Sequence, residues 1–167
     1  MKFLLALSLL LLPLWRLAAF EARVVAVYSG DSLTVEISDH TRLRIHLAGM
    51  DAPEMAKGTL AAQPFAVRAK QELTKAALGS LVTVLIEKPH ECEGYYAVLI
   101  SQPGICLNTY MVESGFAIPT EITDAYYKER LEASYNFARQ NRWGLWAQPL
   151  LETPFEYRQR TKKRHLD

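Results

Sequence analysis

Between Ala22 and Leu47 the chain changes face at almost every residue. Leu33, Val35 and Ile37 alternate with Thr34 and Glu36, and Leu43, Ile45 and Leu47 alternate with Arg42, Arg44 and His46. Successive side chains of a strand point to opposite faces, so this pattern buries one side of a sheet and wets the other. Turn residues at Ser29-Gly30-Asp31 and at Asp39-His40 cut the stretch into three short strands. The period then switches. From Gln63 to Leu78, Phe65, Ala66, Ala69, Leu73, Ala76 and Ala77 fall on one helical face, with Pro64 suiting the first turn and Gly79 the end.

A fourth strand over Leu81 to Glu87 is nearly continuous Val, Leu and Ile, and a fifth runs over Tyr95 to Ser101 after a polar hairpin loop. Gln102-Pro103-Gly104 turns the chain into a helix over Leu107 to Ser114, ended by Gly115. A last helix over Ala125 to Asn141 buries Tyr127, Leu131, Tyr135 and Ala138. Trp143-Gly144-Leu145-Trp146 closes it as a glycine stop with indoles packed on the core. Five short strands, a helix inserted between the third and fourth, and helices after them predict an α+β domain: a small closed barrel of the oligonucleotide/oligosaccharide-binding (OB) type with three helices.

Lys2 is followed by an almost wholly apolar run from Phe3 to Trp15, which has the length of an export leader and falls short of the roughly 20 residues that span a bilayer. The expected organisation is a leader over 1–19, one domain over 20–153 and a basic tail over 154–167. Export to the periplasm or medium is expected, with a cleaved leader favoured over an uncleaved anchor. Loss of Lys2 and Arg16 with the leader leaves 17 basic against 18 acidic residues. A chain so balanced is no polycation and is not built for strong non-specific binding to duplex nucleic acid. Five of the seven residues from Arg158 to Arg164 are basic, and such a terminus is expected to be solvated and frayed. Cys92 and Cys106 lie near opposite ends of the Tyr95 to Ser101 strand, roughly 20 Å or more apart, too far for a disulfide.

Three acids bracket the early strands: Asp31 in the first turn, and Asp51 and Glu54 in Gly49-Met50-Asp51-Ala52-Pro53-Glu54. Hard oxygen donors of this kind suit a divalent cation and an activated water. Each also suits a turn or a loop brace without any chemistry. Taken with Leu47-Ala48 before this segment, Gln63-Pro64, Leu78-Gly79, Asn108, Met111-Val112-Glu113-Ser114-Gly115-Phe116-Ala117 and Gly144-Leu145-Trp146, in this order and spacing, the chain resembles the staphylococcal nuclease (thermonuclease-like) family from Arg23 to about Pro154.

The resemblance implies calcium-dependent hydrolysis of phosphodiester bonds in DNA and RNA. Asp31, Asp51 and the backbone carbonyl of Ala52 are the implied calcium ligands, and Glu54 the implied general base. Single-stranded DNA, RNA or another phosphodiester is the implied partner; a monomer is expected, with no stable membrane span once the leader is cleaved. The family also supplies two phosphate-gripping arginines, and here His46 and Tyr95 stand in their places, beside an acidic loop, His90-Glu91-Cys92-Glu93. One arginine on a transferring phosphoryl group is worth roughly 10³–10⁵ in rate. The expectation is therefore a nuclease of weak or altered activity, or a barrel that binds without catalysis. A protonated His46, favoured by neighbouring carboxylates, or Arg44 or Arg42 on the same strand face, would be the replacement cation. Arg44 and Tyr95 are thus candidate substrate contacts.

Overall fold

The computed structural model describes residues 19–149 and 152–163. The expected leader lies outside the described residues except for Ala19, which already begins the first strand, β1 (Ala19–Val27). β2 (Ser32–Glu36) and β3 (Arg42–Leu47) follow as antiparallel neighbours, then the two-residue β4 (Met50–Asp51) and helix α1 (Ala66–Ala77). β5 (Leu81–Pro89) and β6 (Tyr95–Ser101) form a hairpin, and β7 (Ile105–Cys106) runs into α2 (Leu107–Glu113). β8 (Ile118–Pro119), α3 (Ala125–Gln140), a 3₁₀ turn over Gly144–Ala147 and α4 (Pro154–Lys163) complete the described elements.

The strand order β3-β2-β1-β5-β6 closes on itself because β3 also pairs with β6, in parallel, from Ile45↔Tyr95 to Leu47↔Ala97. This is a closed five-stranded mixed barrel with, among the described residues, four α-helices, the OB-type α+β fold that the sequence pattern predicts, with one helix more. The alternating residues meet inside: Val24, Leu33, Val35, Ile45, Val84 and Leu99 are fully buried. Leu73 of α1, Met111 of α2 and Leu131 of α3 cover the barrel. Asn108 ties barrel to helix from within, donating to the carbonyls of Ala48 and Ala97 and accepting from the Leu99 N–H at 3.0 Å. A buried amide so fully paired fixes the end of β3 against β6.

Three local expectations need correction. α1 starts at Ala66, because Phe65 is left-handed with φ 69°, so Pro64 lies before the first turn. At the closing turn Leu145, not the indoles, plugs the core; Trp143 is 47% exposed and Trp146 meets Tyr135 edge-on at 5.2 Å. The basic tail is not frayed over 154–163. Its helix is opened by a reciprocal cap, in which the Thr153 N–H donates to Glu156 Oε2 and the Glu156 N–H to Thr153 Oγ1. Pro154 occupies the first helical position, where its missing N–H costs nothing. The buried Pro154, Tyr157 and Thr161 seat the helix, with the Tyr157 hydroxyl donating to the Ala61 carbonyl.

Candidate active site

Asp31 sits in the β1–β2 turn, which Gly30 presses against α1: a Cβ at position 30 would come within 2.6 Å of the Ala69 Cβ and 2.8 Å of the Ala52 Cβ. Only glycine allows that approach. The Asp31 carboxylate accepts from Ser29 Oγ at 2.6 Å and from the Ala52 N–H at 3.2 Å. Burial pushes its carboxyl up to about 6; the Ser29 and Ala52 bonds oppose the rise, and the Asp51 and Glu54 charges add to it.

Asp51 is held by the β4–β8 pair opposite Ile118 and is 7% exposed. Glu54 follows in a loop fastened by the buried Gln63, whose side-chain Oε1 accepts from the Glu54 N–H at 2.9 Å and whose backbone N–H donates to the Glu54 carbonyl at 2.9 Å. Both carboxylates close on one cation. Arg158 of α4 forks onto Asp51, with Nη1 to Oδ1 and Nη2 to Oδ2 at 2.8 Å each, and donates from Nη1 to Glu54 Oε1 at 2.6 Å. The Asp51 bonds, then Glu54, hold the guanidinium pKa above its usual value despite partial burial.

Asp31, Asp51, Glu54 and Arg158 line one cleft of about 510 Å³, whose lining also includes His46, Lys88, His90, Tyr96 and the acids Glu87 and Glu121. His46 does not carry the charge expected of it. Its ring stacks on His90 at 3.9 Å, and burial, then the His90 and Arg44 charges, drive its pKa down to about 4. Arg44 lies with its guanidinium 3.6 Å over the Tyr28 ring and is not among the cleft-lining residues. Arg42 is paired with Glu36 at 2.8 Å. The register puts Tyr95 beside the fully buried Ile45, whereas Tyr96, beside His46, lines the cleft. Gly94, at φ 82°, brings the hairpin so near β3 that a Cβ there would meet the Arg44 carbonyl at 2.1 Å. Both cysteines are free.

Calcium takes six to eight oxygen ligands. Here both Asp51 oxygens and one of Glu54 are committed to Arg158. Among the described residues no three His, Cys, Asp or Glu side chains are grouped to hold a metal. The side chains as arranged do not fit the ion.

A family model described as "Staphylococcal nuclease homologue" matches residues 44–148. The chain belongs to the staphylococcal nuclease family. It is 29% identical to "Micrococcal nuclease" from Shigella flexneri over 90% of this chain and 86% of that protein. It is also 28% identical to "Probable endonuclease LCL3" of Zygosaccharomyces rouxii and 30% identical to the protein of that name in Vanderwaltozyma polyspora. Each match spans 71% of this chain and 45% of the yeast protein, so the chain covers under half the length of those two relatives. In this member of the nuclease family Arg158 lies beyond residues 44–148 and beyond Pro154, where the family motifs end, so reading those motifs alone missed it. The signal was present in Thr153-Pro154-Phe155-Glu156, a helix start that places the basic run on a folded element.

Proposed function

We propose that the cleft hydrolyses phosphodiester bonds of single-stranded nucleic acid or a related small diester, and that the protein is exported. The single observation that carries the hydrolase reading is the fork of Arg158 onto Asp51 and Glu54. It restores a cation to a site whose sequence had lost both phosphate-facing arginines. Export rests on the apolar run from Phe3 to Trp15; among the described residues no helix is long and apolar enough to cross a membrane.

In this reading Glu54 is the general base. One of its oxygens binds Arg158, and the other takes a proton from a water as the new P–O bond forms. The P–O bond to the leaving oxygen breaks on the far side, and that oxygen is protonated from solvent. Charge growing on the phosphoryl oxygens is met by preorganised donors rather than by reorienting water. Calcium, which the family resemblance implies, would have to displace Arg158 to reach Asp51.

The test is release of acid-soluble product from single-stranded DNA, RNA and bis(p-nitrophenyl) phosphate, with and without calcium. Turnover that falls at least a hundredfold in Glu54→Gln is expected. The acidic wall of Glu87 and Glu121 favours a second reading, a binding module without chemistry. Nucleic-acid capture with no turnover in any condition would establish that reading and end the first.

A further inference from the structure

A guanidinium presents five N–H donors in a planar fork. In Arg158 three are spent, both of Nη1 and one of Nη2, on Asp51 and Glu54. The other two, on Nε and the outer side of Nη2, are parallel and share one edge, the geometry that takes two oxygens of a phosphate at once. Neither has a hydrogen-bond partner among the described residues. The side chain is 39% exposed and lines the cleft, so that edge is not sealed in the protein. The carboxylates also fix the fork in advance, so the entropy of ordering a long side chain is spent in folding and not in binding. Lys88, which also lines the cleft, lies 5.3 Å from the Tyr96 ring and offers a point charge without a fork.

We infer that Arg158 is the phosphate-binding residue of this cleft, its Nε/Nη2 edge taking two non-bridging oxygens of a phosphodiester while Asp51 and Glu54 hold the rest of the fork. The inference rests on the reading that a phosphodiester is the substrate. It assigns the grip to a C-terminal helix outside the matched segment, where neither His46 nor Tyr95 supplies it.

The test is binding of a fluorescein-labelled phosphorothioate thymidine oligomer, which resists hydrolysis, to the full chain in excess EDTA, read by polarisation. Arg158→Gln is expected to weaken binding about 10–100-fold, the range for lost charge-assisted hydrogen bonds. Arg158→Lys keeps the charge and loses the fork, and should recover only part. Arg160→Gln, two residues along the same helix and paired with Glu152, should bind as the wild type does. Circular dichroism establishes that each variant is folded, and if Arg158→Gln is not, Arg158→Lys carries the test alone. Undiminished or tighter binding in Arg158→Gln, or full recovery in Arg158→Lys, would overturn the inference. Arg158-dependent binding without strand cleavage by the wild type would support it while removing the hydrolase reading. Wild-type cleavage that persists unchanged in both Arg158 variants would remove it alone.

Discussion

Replacing Asp31 with asparagine should stabilise the protein at alkaline pH and not at acid pH. In the folded chain the Asp31 carboxyl stands at about 6 against an ordinary 3.8, chiefly through burial. Between those values the folded state holds a proton that the unfolded state has released. Stability contributed by this group is therefore full below about 3.8, falls as pH rises through the window, and stays lost above about 6. The gap corresponds to about 3 kcal/mol at roughly 1.4 kcal/mol per decade. Asparagine removes the charge but can present only one oxygen, so it keeps the Ser29 bond and gives up the longer one from the Ala52 N–H, at about 1 kcal/mol. The net gain is about 2 kcal/mol at pH 8, or roughly 4–8 °C for a chain of this size. Thermal melts of both proteins from pH 4 to 8, with EDTA present, measure it. A difference that does not vary with pH, or a gain confined to the acid side, would refute the reasoning.

Arg158→Ala should tighten calcium binding at least tenfold by calorimetry, because it frees the two Asp51 oxygens and one of Glu54; unchanged affinity would show that the guanidinium and the ion do not compete. His46 should titrate near pH 4 in proton NMR, and so add no inflection near 6.5 to any pH–rate profile; a midpoint above 6 would contradict the stacked, desolvated ring. Asn108→Ala should cost about 3 kcal/mol in denaturant unfolding, since it strips the Leu99 N–H and the Ala48 carbonyl of their partner inside the barrel, the Ala97 carbonyl keeping the Ala48 N–H; a loss under about 1 kcal/mol would show that water replaces the amide.

The barrel was legible because β2 and β3 alternate with a two-residue period that sends Leu33, Val35, Ile45 and Leu47 inward, while β5 and β6 read as short, nearly continuous apolar runs bounded by turns. β4 and β8 were not, since two residues carry no period; yet their pairing holds Asp51 at the cleft. α4 announced itself through Thr153 and Glu156, but a run of positive charge reads more readily as a solvated end than as a seated helix. What no local pattern could supply was contact across the chain. Arg158 meets Asp51 from 107 residues away, and the charge state of His46 depends on its burial and then on His90, stacked on it. The three acids that line the cleft were thus readable as a motif, and the cation among them only as a fold.

The most direct measurement is the side-chain Nε–H resonance of Arg158, identified by its loss in Arg158→Lys, during titration with the phosphorothioate oligomer in EDTA. A saturating downfield shift, with slowed exchange of that proton with water, is the predicted result. A resonance that does not move while the oligomer binds elsewhere on the protein would contradict the account.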